Sequence, residues 1–441
     1  MKINHLLLLG IYFIGATASN AQERTSLTLD EAVHLAWTKS NEVSLADSKV
    51  NSSKYELQSK KNSQYPDLKL SGQYQHFLEP NVDIKFGESG SGTGFPSGNQ
   101  LLIGQLSASL PVFAGFKTQN NIKISENLYQ AETANALQTK EEIAMRVVNY
   151  YASLYKAQKT LELLKDNQKQ AEQRVKDFTE MEKNGIIPRN DLLKAQLQVS
   201  KIQLSIDDIN KNLNVVNYYL VSLLKLPSET KLKINESDFV NFQTNNVPKD
   251  EKLALENRKD LKAVDYQEKA SEANIKMAKS AYYPSVSLVG GYANLALENV
   301  ITVQNAINFG VGVSYDLSGI LKHNSSIKMA ESKSQETKNY KEILTDNIKV
   351  QVKKAIEEYD LALKQKEVYI EAATQSLENY RIVKDKYDNG LSNTNDLLEA
   401  DVEQLGSKIN NALARANVIQ KYYELLSATG QLSQTFNLSK I

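Results

Sequence analysis

Cysteine is absent from the 441-residue chain. Its absence excludes disulfides, a thiolate metal site and the thiol on which a bacterial lipid anchor is built after signal cleavage. A surplus of charge is missing too, since Lys plus Arg and Asp plus Glu both number 52. A protein that neutralises phosphates needs a basic excess, so nucleic acid is not expected as a partner. Long apolar runs are also lacking. The stretch from Leu6 to Ala16 falls short of the roughly 20 residues a membrane helix needs. It follows Met1-Lys2 and leads into small residues ending Ser19-Asn20-Ala21, which reads as a secretory signal peptide over 1–21. With no transmembrane helix expected in the mature chain, any membrane contact must be made by strands.

Glycine and proline are missing from 116–184 and again from 320–389. Each stretch could form a helix of about 100 Å at 1.5 Å per residue. Their apolar residues keep coiled-coil spacing: Leu161, Leu164, Ala171, Val175 and Phe178 in the first; Val352, Ile356, Tyr359, Leu363, Ile370, Leu377, Tyr380 and Tyr387 in the second.

What the chain has in abundance is itself. NGIIPRNDLLKA at 184–195 returns as NGLSNTNDLLEA at 389–400, and YPDLKLSGQY at 65–74 as YPSVSLVGGY at 283–292. The chain reads as a tandem duplication whose first copy carries a longer loop, GESGSGTGFPSGN at 87–99. Asn184-Gly185 and Asn389-Gly390 supply the left-handed residue that ends a helix, and Asn190 and Asn395 are placed to cap a returning one. The repeated phrase is therefore a hairpin tip between antiparallel helices.

The expected layout of the first repeat, 22–226, is a helix near 28–63, two strands within 66–113, a long helix 116–183, a tip 184–190 and a return helix 191–226. A linker, 227–249, follows. The second repeat, 250–429, gives a helix near 250–281, strands within 284–317, a long helix 320–388, a tip 389–395 and a return helix 396–429. A tail, 430–441, ends the chain. The return helices are about half as long as the outgoing ones; the helices opening each repeat would extend them into rods of matching length.

The strands alternate. Ile307, Phe309, Val311, Val313 and Tyr315 oppose Asn308, Gly310, Gly312 and Ser314, and Leu102, Leu106, Ala108, Leu110 and Val112 oppose Gln105, Ser107 and Ser109. One face is apolar. It could pack on helices in a soluble sheet, but the small, weakly charged opposite face and the strand length also suit an outer-membrane barrel wall. Four strands cannot close a barrel when the small ones use about eight. Several chains would have to share one.

Little else points to chemistry. His5, His34, His76 and His323 show no metal-ligand spacing, and no phosphate loop, nucleophile elbow or dinucleotide fingerprint is present. Neither an enzyme nor a cofactor is expected. The tyrosine pairs, such as Tyr150-Tyr151 and Tyr422-Tyr423, fit helix packing better than a ligand cage.

Together the signal peptide, the paired Tyr-Pro strand openings, LPVFAG at 110–115 with its counterpart YDLSG at 315–319, and the paired tips resemble the TolC-like outer-membrane efflux protein family. The resemblance covers nearly the whole mature chain. It implies a mixed α+β, mostly α fold: a homotrimer whose strands give a 12-stranded transmembrane β-barrel, continued by an α-helical barrel of coiled coils across the periplasm. It implies an equatorial region built here from 227–249 and the C-terminal tail. It also implies partners, a periplasmic adapter and an inner-membrane transporter besides outer-membrane lipid, and the role of a passive exit duct for small toxic compounds. A duct for secreted polypeptides is the alternative, with a poreless coiled-coil scaffold or adhesin more distant.

Site residues follow from the same resemblance. Asp396 and Glu399 align with the family's acidic aperture ring, Glu399 replacing an aspartate, with Asp191 and Arg189 at the matching tip. The alternative for the acids is a favourable position against the helix dipole. Gly185, Ile186, Ile187, Gly390, Leu391 and Ser392 are candidate adapter-docking points, although the apolar ones could merely close the turn. Ser392 stands where the family's best-known member has an arginine tying neighbouring coils, and Arg189 could replace it by pairing with Asp396 or Asp191. Leu106, Leu110, Ile307, Phe309, Val311, Val313 and Tyr315 would face lipid.

Overall fold

Helix boundaries follow the residues that start and stop helices. A computed structural model describes residues 24–78, 99–240, 242, 247, 249–298 and 301–438; the expected signal peptide and all but the last residue of the 87–99 loop lie outside them. A short strand β1 (Arg24–Leu27) leads into α1 (Leu29–Lys39). Thr28 and Glu31 bond reciprocally across the first turn of α1, a capping box. Then come α2 (Asn41–Asn62), β2 (Asp67–His76), β3 (Gln100–Ala114), α3 (Lys117–Lys183), α4 (Arg189–Leu223), β4 (Lys231–Ile234) and α5 (Ser237–Val240). The second copy supplies α6 (Glu251–Asn257), α7 (Lys259–Lys279), β5 (Ser285–Leu297), β6 (Ile301–Ser314), α8 (Gly319–Asp388) and α9 (Thr394–Ala428), and α10 (Leu432–Thr435) follows. The two glycine- and proline-free stretches are single helices of 67 and 70 residues, and both return helices have 35.

The helix opening each repeat is broken, where sequence suggests one piece. Ser40 and Arg258 interrupt it with extended backbone, ψ 139° and 130°. They lie 218 positions apart, the offset of the Tyr-Pro pair, so the break was duplicated with everything else. Neither is glycine or proline; Arg258 is held locally by Asp260, and by Gln351 and the carbonyl of Ala428, the last two remote in sequence and not encoded by local propensity.

The duplication does not divide the molecule in space. One compact unit takes residues 143–246 and 358–423 with the N-terminal segment to Ser40; the other takes 41–142, 247–357 and 424–441. In the first unit, β1 pairs in parallel with β4, a sheet with no sequence signature. The other edge of β4 is not left open: Asn217 bonds the Leu232 N–H and the Thr230 carbonyl, and Gln158 bonds the Leu232 carbonyl and the Ile234 N–H. These amides stand in for a third strand. Beside them the single Tyr151 O–H proton is shared between Asp238, 2.6 Å, and the Leu27 carbonyl, 2.8 Å, and Tyr155 stacks on Phe239 with centroids 3.9 Å apart. Burial, then the Asp238 carboxylate, pushes the Tyr151 phenol well above the usual tyrosine range.

The second unit holds an antiparallel sheet in the order β2-β3-β5-β6. Ala254, Leu261, Ile348 and Val352 form an apolar core against α8. The tail packs here too, with Leu432, Phe436 and Leu438 buried. Ser433 donates to the buried carboxylate of Glu141 at 2.7 Å. Burial raises the Glu141 pKa, with Ser433 as the main opposing influence.

Candidate functional sites: an apolar-faced sheet and two hairpin tips

In the sheet, residues directly opposite one another share a face. Leu70 pairs with Leu106, Leu106 with Tyr292 and Tyr292 with Ile307, giving one apolar row across all four strands. Ala108, Gly290 and Phe309 continue the next row from Leu68, and Leu110, Leu288 and Val311 the one after. The other face carries Lys69, Ser107, Gly291 and Asn308, then Pro111, Ser287 and Gly312. The five side chains expected to face lipid from 307 to 315 are all exposed, as is Leu106; Tyr315 lies just past the end of β6. Leu110 is half-buried, and no described helix core cluster packs on this face. Among the described residues β2 and β6 each pair on one side only, which leaves both sheet edges with unpaired backbone groups.

The tips share a backbone. Gly185 has φ 72° and Gly390 φ 73°. The Ile186 and Leu391 N–H groups reach back to the carbonyls of Met181 and Lys386, both at 2.8 Å, while the glycine N–H groups reach Glu182 and Tyr387. This is the Schellman arrangement, whose left-handed residue favours glycine. Space around both glycines is open, so conformation, not crowding, requires them here. The apolar residue after the glycine often packs back on the helix in this motif, yet Ile186 is 67% and Leu391 77% exposed. Ile187 instead packs with Phe178, Leu192, Ala195 and Leu397 in the core beneath the tips.

Helix starts differ from the expected caps. Asn190 and Asn395 lie inside the first turns of α4 and α9. Pro188 precedes α4 with no side-chain cap, and Asn393 accepts from the N–H groups of Asn395 and Asp396 at 2.9 and 3.1 Å. An asparagine oxygen caps by reaching amides two and three residues on; Asn393 has that geometry.

The acids separate by copy. Asp191 is part-buried, accepting from the Thr394 hydroxyl at 2.7 Å and facing Lys194. It ties the first hairpin to the second instead of standing free. Asp396 is exposed and accepts from the Ser392 hydroxyl at 2.8 Å; Glu399, one turn on, is also exposed. Arg189 approaches neither Asp191 nor Asp396: it lies 3.8 Å from Glu182 and is largely exposed. Such a pair contributes about 0–1 kcal/mol, so Arg189 forms no lock within the chain.

Sequence reading passed over a polar layer above the tips. Arg174 on α3 meets Asp401 on α9 at 3.0 Å and the Tyr380 hydroxyl on α8 at 3.2 Å, and Asn167 donates to Asp401 at 3.3 Å. Arg174 and Asp401 are 10% and 1% exposed. The visible signal was Asn167, Arg174 and Met181 at seven-residue spacing beside the apolar stripe Leu164, Ala171, Phe178.

No group of His, Asp or Glu able to hold a metal occurs among the described residues, and no described helix is long and apolar enough to cross a membrane. A strand sheet apolar on one face, its edges open, in the same chain as paired long helical hairpins defines the class of barrel-forming coiled-coil proteins. The chain belongs to the outer membrane efflux protein family, whose profile matches residues 32–216 and 252–431. Its fold is similar to that of the Campylobacter jejuni CmeC outer membrane channel (TM-score 0.80, 15% identity, 100% of this chain and 97% of that one). Vibrio cholerae VceC (0.77, 14%, 91% and 96%) and the open state of the Neisseria gonorrhoeae MtrE channel (0.74, 16%, 92% and 89%) share it. Comparison with curated proteins gives no match.

Proposed function

We propose that this member of the outer membrane efflux protein family is the exit duct of a tripartite export system, passively conducting small toxic compounds delivered by an inner-membrane transporter through a periplasmic adapter. The observation that carries this reading is the four-stranded sheet with one apolar face and two open edges. Lipid covers the apolar face, including Leu106, Leu110, Ile307, Phe309, Val311 and Val313. Three copies, each joining β6 to β2 of the next, close a barrel of twelve strands and satisfy every edge group. The long helices continue the duct into the periplasm. Exposed Ile186 and Leu391 are the apolar docking points for the adapter, and Asp396 and Glu399 of three copies ring the narrow end.

Native mass spectrometry of detergent-extracted protein should give a trimer, and planar bilayers should show single-channel conductance; monomer alone, or no conductance, would reject the duct. Replacing Gly390 and Leu391 together with glutamate should abolish export while trimer yield holds. Unchanged resistance to toxic compounds in that variant would remove the tips from docking. A trivalent lanthanide on the periplasmic side should block wild type in the micromolar range, and Asp396→Ala with Glu399→Ala should remove the block.

A further inference from the structure

The buried polar layer has no role in a duct wall as such, since well-packed apolar side chains fill the same coil above and below it. On α3 its Arg174 falls between Ala171 and Phe178, members of two separate apolar clusters; on α9 its Asp401 falls between Leu397 and Leu405, members of the same two. A buried ion pair is often no more stabilising than apolar residues of similar volume, whereas a single polar layer in a coiled coil specifies register and orientation. The four participants come from three helices: Asn167 and Arg174 from α3, Tyr380 from α8 and Asp401 from α9. The first repeat is thereby tied to both helices of the second hairpin at one level.

We infer that Arg174 is a positioning residue for the acidic aperture: by holding Asp401 inward, it fixes the rotation of α9 and so the outward aim of Asp396 and Glu399. This rests on the aperture reading given above. An α-helix turns about 100° per residue, which places Asp396 roughly 140° and Glu399 roughly 160° around α9 from Asp401. The exposure pattern agrees: Leu397, Ala400, Asp401 and Gln404 are buried, Asp396 and Glu399 exposed. Turning the two acids away from their present direction must draw Asp401 off the guanidinium, leaving a buried carboxylate without its cation. Tyr380 sets the guanidinium plane through its second nitrogen, a fork that lysine cannot reproduce. Asn167 reaches the other oxygen of Asp401, while its own Oδ1 has no hydrogen-bond partner among the described residues; it serves the carboxylate at its own expense, as a positioning contact does.

The test uses the full-length trimer in planar bilayers. Arg174→Met and Asp401→Leu alone should lower trimer yield, because each strands a buried partner. The double variant Arg174→Met with Asp401→Leu removes both charges and keeps apolar volume, so trimer yield and thermal resistance should return to near wild type. Its basal conductance should nevertheless rise several-fold and its block by a trivalent lanthanide weaken several-fold, because α9 is no longer held in rotation. Arg174→Lys should fall between. A double variant with wild-type conductance and wild-type block would overturn the inference and leave the layer a packing feature. Failure of the aperture itself is distinguishable: Asp396→Ala with Glu399→Ala would then leave the block intact while Arg174 and Asp401 are untouched.

Discussion

The two tips have the same backbone and opposite uses of their side chains. Positions 205 apart correspond: Arg189 and Thr394, Asp191 and Asp396, Lys194 and Glu399. The left-handed glycine and its pair of back-bonded amides recur in both copies. Arg189 is solvated and Thr394 buried; Asp191 is occupied by Thr394 while Asp396 serves its own turn. Lys194 neutralises its neighbouring acid, and Glu399 adds a second one. Duplication has preserved what the chain path demands and released what the surface carries. One tip has become the anchored member and the other the charged one.

The largest effect that would break this comparison is at the anchor. Thr394→Val keeps shape and removes the hydroxyl that reaches Asp191 from the other hairpin. A hydrogen bond to a charged group contributes about 1.5–3 kcal/mol, so denaturant unfolding of the extracted protein should shift by that order. The corresponding change in the first copy, Arg189→Ala, should cost no more than about 1 kcal/mol, its ion pair being solvated. Equal effects from the two would mean that the tips are not specialised. Next in size are the glycines. Gly185→Ala and Gly390→Ala should each cost about 1–2 kcal/mol, because an L side chain is strained in the left-handed region, and the two values should agree. A marked difference would show that one tip relaxes its backbone and the shared geometry is not enforced.

Much of this was legible because the physical periods were clean. Alternation at 307–315 marks a two-faced sheet, since one apolar face must read with period two. Asn-Gly after a long glycine-free stretch marks a helix end. Three things were not legible. β1 and β4 are four residues each, too short for any pattern, and β4 is held by the side-chain amides of Asn217 and the more distant Gln158. The break at Arg258 is held by contacts to Gln351 and Ala428, remote in sequence. The polar layer joins Arg174 to Asp401 across 227 positions, and a charged residue on a coil is read as surface unless its partner is known. The sequence neighbourhood of Asp191 matches that of Asp396, and the Thr394 hydroxyl that distinguishes them is visible only in space.

The smallest effect extends the comparison from the tips to the shafts. Glu141 on α3 is buried against Ser433, whereas the residue 205 positions on, Asp346 on α8, is largely exposed beside Lys349. Burial is the main cause holding the Glu141 pKa above its ordinary value, with Ser433 opposing. An acid whose folded pKa is raised binds its proton more tightly when folded. Its stabilising contribution is complete below the unfolded pKa, near 4.3 for glutamate, and is lost as pH rises through the folded value. Glu141→Gln mimics the protonated form and can still accept from Ser433. At neutral pH it should raise the thermal midpoint of the extracted protein by about 1–2 °C, and at pH 4 the difference should shrink towards nothing. Asp346→Asn should change the neutral-pH midpoint little, since its ion pair with Lys349 is solvated. A Glu141→Gln variant that is destabilised at neutral pH would show that the carboxylate is held charged by Lys259 and Arg258, the cations whose field opposes burial there. The asymmetry between the copies at this level would then be one of pairing, not of burial.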